Sequence, residues 1–561
     1  MKLTTNNQNV LMEIFKQEMA ENNDYIDEAD FFEFFASKQV MKYYDLDDDE
    51  IESGIVGKGS DGGCDAVYVL LNGILIREDN ISTIQIGREP TIDVVIVQAK
   101  RESSFNESVL TKWKTIVANL LPINVDNSKF AKRYNEDVLE AFSIFRELYK
   151  RSLRQCPKLK FSCFYCSFAD NLHPNVEQQA DELKEIFKDQ YPSDLALINV
   201  DFWGADKMIS AIQKMECQQF SLLFTENPIS LKNDYVGLVN LKDYYQFITA
   251  GTDTIQTRIF EANVRDYQGH NAVNQDIQNT LEHPEAEDFW WLNNGITIVA
   301  DSAQLLTTRN ISLMSPSIVN GLQTSNEIFN YFSSGITQTD DEKRNVLVRI
   351  IIPESEESRD RIILATNNQT DIPKASLRAN DPIHWKIEQF LKGKGLFYDR
   401  RKNYYKNQGK NCSEIISLSF LSQCLMSLLL QMPNYARARP STLLTDDENY
   451  SILYSEKYDL NIFYKAALLG KKISSIIKRK TDYSVSQKTD ILFYVLYYSV
   501  AKILKKIQIT ADDIANLELN LFTEEYVLSV TQCVYNEYNS LGGTGKLAKS
   551  SMLIDKLKSI L

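Results

Sequence analysis

The chain has 561 residues, eight cysteines and a formal net charge of −15 at pH 7. That acidity excludes a protein that holds nucleic acid by bulk positive charge, so any such contact must come from local basic patches. The length exceeds what one hydrophobic core usually supports, which sets an expectation of about two or three domains.

At the N-terminus, MKLTTNNQNVLMEIFKQEM mixes amides and charges from the outset, so no signal peptide is expected. The longest apolar segments, SLSFLSQCLMSLLLQM near residue 420 and ILFYVLYYSVAKIL near 495, fall short of the roughly 20 residues needed to cross a bilayer. They read as buried helices. Cysteines spread this thinly fit free thiols in a reducing compartment, so a cytoplasmic protein with no membrane partner is expected.

In chain order, the first pattern is DEADFFEFFASKQVMKYY, where Ile26, Phe31, Phe34, Phe35 and Met41 mark one apolar helix face. Three extended runs follow, CDAVYVLLNG, GILIRED and TIDVVIVQAK, with Asn72-Gly73 as a two-residue hairpin signal between the first two. Helices are expected around 107–121 and 131–153, then a strand KLKFSCFYCSF, a helix around 176–188 and a strand LALINVDF. This order predicts an α/β domain over 1–215. Residues 216–410 open with strands such as QFSLLF and YVGLVNL and read as a mixed α/β region rich in Asn, Gln, Thr and Arg. From 411 to 561 the chain reads as mainly helical, with DDENY and KRKTDYS as exposed breaks, so the whole is a multidomain α/β protein, α+β overall. No fixed-period repeat is present.

Asp65, in GKGSDGGCDAVYV, sits where a strand begins and can face a cleft. Gln98 and Lys100 lie at i and i+2 of VVIVQAK and share a strand face. An acid, a second oxygen ligand and a lysine on neighbouring strands suit metal-dependent phosphodiester hydrolysis. Mg²⁺ prefers oxygen ligands, polarises the phosphate and acidifies an attacking water. Lys100 then orients that water or stabilises charge on the phosphorane. By spacing alone, a lysine that ends a strand usually just reaches solvent.

The stretch from FFEFFASKQVMKYY through GKGSDGGCDAVYV to DVVIVQAKRES resembles the PD-(D/E)xK nucleases, in the Mrr-type branch where glutamine replaces the middle acid. The resemblance implies a restriction-endonuclease-like mixed sheet flanked by helices. It also implies a Mg²⁺ or Mn²⁺ ion held by Asp65, the side-chain oxygen of Gln98 and the carbonyl of Ala99. Lys100 becomes the catalytic lysine, and Glu33 the acid from the preceding helix, with Asp30 one turn away as the alternative. An amide in place of a carboxylate removes one negative charge and leaves the number of ions open.

Further on, FEANVRDYQGHNAVNQDIQNTL (260–281), FWWLNNGITIVA (289–300), SIVNGLQTSNEIF (317–329), LATNNQTDIP (364–373) and SLRANDPIHWKIEQFLKGKGLFYDRRKNYY (376–405) together resemble the abortive infection phage resistance family, AIPR. In that family an Mrr-like nuclease is a common N-terminal attachment. Asn293, Asn294, Asn320, Gln323 and Asn368 are amides that can read base edges, sugars or peptide groups. Arg265, Arg378, Arg400, Arg401 and Lys402 can contact phosphate, with Tyr398, Tyr404 and Tyr405 interleaved for stacking. Arg437, Arg439 and the run from Lys150 to Lys160 can extend this track. The bland alternatives stay open: Asn294-Gly295 and Asn320-Gly321 satisfy their own turns, and YDRRKNYYKNQGK is a solvated loop with core tyrosines.

Other patterns fail. Cys163 and Cys166 have no second ligand pair and lie in a strand. DLDDDEIESGI has Glu50 where a calcium loop needs glycine, and reads as a solvated acidic turn; GGTGKLAKS lacks the first glycine and the preceding strand of a phosphate loop. The histidines at 173, 270, 283 and 384 do not cluster in sequence. The expectation is a Mg²⁺-dependent nuclease of prokaryotic antiphage defence, cutting DNA more readily than RNA. The AIPR region would recognise or regulate, a phage-derived trigger would gate activity, and a homodimer would supply two sites. The alternatives are a non-cleaving nucleic-acid or phage-product sensor with a decayed site, and a scaffold.

Overall fold

Asn72 and Gly73 both take positive φ (51° and 85°), the backbone of a tight hairpin turn, and join β1 (Ala66–Leu71) to β2 (Ile74–Leu75). The computed structural model describes the chain except residues 1–4, 23–24, 45, 58, 85, 88, 192–195, 214–218, 252–254, 261–271, 283–286, 334–341, 368–377, 379–380, 401, 408, 439–445 and 481. Arg265, Asn368, Arg401 and Arg439 therefore lie outside the described residues.

β1 also pairs antiparallel with β3 (Thr91–Lys100). β3 runs parallel to β4 (Lys158–Ser167), and β4 to β5 (Ala196–Trp203), giving a five-stranded mixed sheet in the order β2-β1-β3-β4-β5. Helices cover both faces, which is why TIDVVIVQAK is buried along its length where a half-exposed strand would alternate. On one face α4 (Glu107–Leu120), α5 (Glu136–Ser152) and α6 (Pro174–Gln190) pack Trp113, Phe142, Phe145 and Phe187 with Val94, Ile96 and Phe161. On the other, α1 (Asn6–Glu21), α2 (Glu28–Val40) and α7 (Ala205–Gln213) pack Phe15, Phe31, Phe35 and Met208 with Tyr68, Val95 and Val97. Ile26 departs from the expected face and is 56% exposed. The Asp27 side chain caps α2 by accepting the Ala29 and Asp30 N–H groups, so the helix starts after Ile26.

The acidic run expected as a solvated turn is a short helix, α3 (Asp48–Ser53), with a capping box between Asp47 and Glu50. Its partly exposed carboxylates face lysines from the last third of the chain. Asp48 pairs with Lys406 at 2.6 Å, Glu50 with Lys402 at 2.6 Å and Glu52 with Lys478 at 2.7 Å. Ser417 donates to Asp49 at 2.6 Å, and Lys549 pairs with Glu140 at 3.1 Å and with Glu78. The N-terminal sheet domain is thus ion-paired to the last third of the chain, around a cavity of about 640 Å³ that Asp30, Glu33, Asp47 and Arg437 help to line.

In the middle region β6 (Gln219–Leu223), β10 (Ser302–Leu305) and β11 (Asn310–Met314) form a three-stranded sheet. β7 (Ile229–Leu231), β8 (Asp234–Asn240), β9 (Ile296–Val299), β12 (Ser317–Asn320) and β13 (Asn345–Ile351) form a five-stranded one, in the order β12-β9-β13-β8-β7. Only β9 and β13 in it run parallel. α8 (Leu241–Thr249), α9 (Ala272–Glu282) and α10 (Leu322–Ser333) close one face around Ile296, Ile298 and Val348. α11 (Glu356–Asn367) sets Ile363 against Val299 and Val319 on the other.

The third region is mainly helical, with one short parallel pair, β14 (Phe397–Asp399) and β15 (Ile415–Ser417). The apolar segments near 420 and 495 form the centre of its core as the helices Leu418–Leu429 and Val485–Leu504. Among the described residues no helix is long and apolar enough to cross a membrane. KRKTDYS separates the helices Asn461–Lys478 and Val485–Leu504, as expected. DDENY is exposed at Asp446, Asp447 and Glu448, as expected, and helical from Asp447: the Asp446 carboxylate accepts the Glu448 and Asn449 N–H groups and starts the helix Asp447–Leu453.

Candidate functional site

The approach to β1 is a glycine-rich bend in which Gly62 and Gly63 take φ of 67° and 85°. A Cβ on Gly62 would stand 2.8 Å from Ile116 of α4, so the close approach requires glycine there. The Trp113 indole donates to the Gly63 carbonyl at 2.5 Å, and the Gly63 N–H donates to the Asp61 carboxylate at 2.7 Å. Asp65 is then locked into the sheet: its N–H donates to Val97 at 2.8 Å, and its carbonyl accepts from Val56 at 2.8 Å and Gly57 at 3.0 Å.

The Asp65 carboxylate is buried and accepts two N–H groups on one oxygen, from Ala99 at 2.7 Å and from the Gln98 amide. Burial pushes its pKa up to about 6, while the Lys100 ammonium and the Ala99 N–H pull it down and Asp61 adds to the rise. Gln98 is 1% exposed, and its Oε1 lies beside Gly63, where an added Cβ would stand 3.3 Å from it. Lys100, the last residue of β3, is half-buried. The structure therefore brings Asp65, Gln98, Ala99 and Lys100 together at the ends of two adjacent strands.

The Glu33 carboxylate lies close to Gly57, where a Cβ would stand 2.7 Å from it, and Glu33 also lines the inter-region cavity. Asp30 lines the same cavity, which neither Asp65 nor Gln98 lines. Among the described residues no group of three or more His, Cys, Asp and Glu side chains is arranged to hold a metal ion. Oxygen donors near Asp65 include its own carboxylate, one amide oxygen once the Gln98 amide is turned, and the Ala99 carbonyl, with the Asp61 carboxylate close enough to raise the Asp65 pKa. That all-oxygen set fits a hard cation that keeps several of its waters.

In the middle region the expected amides gather at the start of α10. The Asn293 side chain accepts from the Gly295 N–H at 3.0 Å and donates to Thr324 at 3.1 Å, so it serves both its own turn and the helix. Asn294 is exposed, Asn320 ends β12, and Gln323 lies in the first turn. Gly321, at φ 103°, allows the close pass over Ile296.

The basic stretch folds inward. Arg400 is 4% exposed, donates to Glu388 at 3.2 Å and lies 4.5 Å from the Trp385 ring; the Tyr405 hydroxyl donates to the other Glu388 oxygen at 2.8 Å. Arg378 pairs with Asp447 and lies 4.0 Å over the Tyr450 ring. Lys402 and Lys406 are taken by α3, and Arg437 pairs with Asp490 at 2.9 Å. The expectation of an open basic track is corrected for these residues, because buried or facing carboxylates neutralise them within the chain.

Sequence reasoning missed His384. It is fully buried, with Nδ1 2.9 Å from the Tyr398 hydroxyl and Nε2 3.0 Å from the Tyr450 hydroxyl, which itself donates to Asp381 at 2.6 Å. Burial, with Arg400 and Arg378 nearby, pushes its pKa down to about 3, so the ring is neutral. The signal was available in the spacing of Asp381, His384 and Glu388, which share one helical stripe.

Residues 260–539 match the family model described as AIPR protein. No curated protein and no solved structure matched the chain. The matched residues hold both the amide cluster and the His384 network, and through them this part of the chain is an AIPR region.

Proposed function

We propose that this protein acts in abortive infection defence against phage as a metal-dependent nuclease that hydrolyses phosphodiester bonds of DNA, with RNA as the second substrate class. The observation that carries the reading is a buried Asp65 whose raised pKa is only partly offset, beside Gln98 and Lys100 on the neighbouring strand. Such a carboxylate in a polar strand-end site suits an added cation. Asp65, the Gln98 oxygen and the Ala99 carbonyl would hold Mg²⁺ or Mn²⁺, which supplies Lewis-acid activation of phosphate and water when bound. Lys100 presents its ammonium where negative charge grows on the phosphoryl oxygens and holds the attacking water. A value of about 6 leaves Asp65 ionised at neutral pH, as ligation requires. The AIPR region serves as the recognition or regulatory module, and the ion pairs to α3 give it a mechanical hold on the nuclease domain.

A second reading has its own observation. The Gln98 amide nitrogen already donates to Asp65, and among the described residues no group of three or more His, Cys, Asp and Glu side chains is arranged to hold a metal ion, which favours a sensor that binds nucleic acid without cutting. Incubating the purified protein with plasmid and with RNA, in Mg²⁺, Mn²⁺ or EDTA, separates the two. Cutting that needs metal and disappears in Asp65→Ala and Lys100→Ala supports the nuclease. No cutting under any of these conditions, with extract from infected cells included, supports the sensor.

A further inference from the structure

In the N-terminal sheet, side chains alternate between the two faces, and Val67, Val94 and Ile96 fill the core beneath α4 with Trp113. Asp65, Gln98 and Lys100 continue the same alternation, so their side chains leave the sheet on the α4 side. Lys112 of α4 meets them there. A Cβ added to Gly63 would stand 3.1 Å from Cβ of Lys112 and 3.3 Å from Oε1 of Gln98, so the lysine stem and the amide oxygen flank the same point of the glycine-rich bend. Lys112 is exposed and, among the described residues, has no carboxylate partner, whereas Lys114 on the same helix pairs with Glu182.

The turn before α5 packs on the same bend. The Tyr134 ring would stand 2.9 Å from a Cβ on Gly62, its hydroxyl accepts from Asn119 of α4 at 2.8 Å, and the Asn135 N–H donates to the Ser60 carbonyl at 2.9 Å. The Arg133 guanidinium lies 5.6 Å from the centre of that ring, is exposed, and likewise has no carboxylate partner among the described residues. The acid of the bend, Asp61, is taken by the Gly63 N–H at 2.7 Å. A Cβ on Gly59 would meet nothing within 4 Å, so the bend turns one side to open space.

In a chain of net charge −15, a polyanion can be held only where cations are left over, and Arg378, Arg400, Lys402 and Arg437 are neutralised by carboxylates of their own. Lys112 and Arg133 are left over, and they stand along the bend that leads to Asp65. We propose that these two residues hold the sugar-phosphate backbone of a nucleic-acid strand and so seat one of its phosphates at Asp65, Gln98 and Lys100. Lys112 acts as a point charge, and Arg133, stacked on Tyr134, presents the planar fork that suits phosphate oxygens. The inference rests on the reading of Asp65 as a nucleic-acid site, and adds to it the residues that bring the strand there.

Fluorescence anisotropy of the full-length protein in EDTA, with a short DNA duplex and a short RNA strand as probes and the salt varied, reads binding without any cleavage step. Wild type should bind at least one probe. Lys112→Gln and Arg133→Gln should each weaken it about fivefold to tenfold and lower the slope of log affinity against log salt by about one, as loss of one phosphate contact implies. Arg133→Lys should keep the slope, and thermal midpoints should stay in place because both side chains are exposed. Lys150→Gln removes an exposed cation elsewhere in the domain and should leave the slope unchanged. Tighter binding of the duplex or of the RNA identifies the kind of strand held. No binding of either probe, slopes unchanged in both Gln variants, or an equal loss in Lys150→Gln overturns the proposal. The nuclease reading stands or falls separately: a strand cut in Mg²⁺ with both slopes unchanged refutes this grip alone, and a strand bound through Lys112 and Arg133 but never cut supports the grip together with the sensor.

Discussion

Two clusters of buried polar groups in this molecule are built in opposite ways. In the third region, Arg400 and Glu388 bury their charges against each other, Tyr405 fills the second carboxylate oxygen, and neutral His384 has a tyrosine hydroxyl at each nitrogen. In the N-terminal domain, Asp65 is as deeply buried but receives only two N–H groups and a lysine at the rim, and burial wins. Full compensation is what a structural pair needs. Partial compensation leaves a charge for something else to satisfy, which is the mark of a site.

The strongest way to break this contrast is to remove one partner of the compensated pair. Glu388→Ala should destabilise the protein by about 3–5 kcal/mol, read by denaturant unfolding, because Arg400 would remain buried without its carboxylate. Replacing both by apolar residues of similar volume should recover much of that loss.

Asp65→Asn should act in the other direction. The folded pKa of about 6 lies above the usual unfolded value, so Asp65 costs nothing below that lower value and the fold loses stability as pH rises through about 6. The substitution should therefore stabilise the protein by up to roughly 3 kcal/mol at pH 8 and have no effect near pH 4, measured as unfolding midpoints across pH. A smaller effect is expected at the junction. Lys406→Ala or Lys402→Ala should cost about 1 kcal/mol at low salt, because these pairs are partly exposed, and less as salt is raised. A comparable effect is expected for Lys100→Gln, which removes the ammonium that partly offsets the buried Asp65 charge and should cost about 1 kcal/mol at pH 8 and little near pH 4, while abolishing the proposed metal-dependent cleavage.

The N-terminal sheet was legible because its signals are local. Asn72-Gly73 fixes a hairpin, and an apolar run ending in Gln98 and Lys100 fixes both the buried strand and the residues at its end. What escaped depends on distant partners. The acidic run is paired and not free in solvent because Lys406, 358 positions along the chain from Asp48, faces it, whereas the Asp47–Glu50 capping box that starts α3 is a local signal. Arg400 read as a phosphate contact because nothing in its neighbourhood of sequence shows that Glu388 turns toward it across a buried space.

The central claim is that the uncompensated charge at Asp65 is reserved for a cation. Titrating Mn²⁺ into the full-length protein and into Asp65→Asn at pH 7.5 tests it most directly. Saturable binding that the substitution removes is the predicted result, and equal binding by both proteins, or none by either, would contradict the claim.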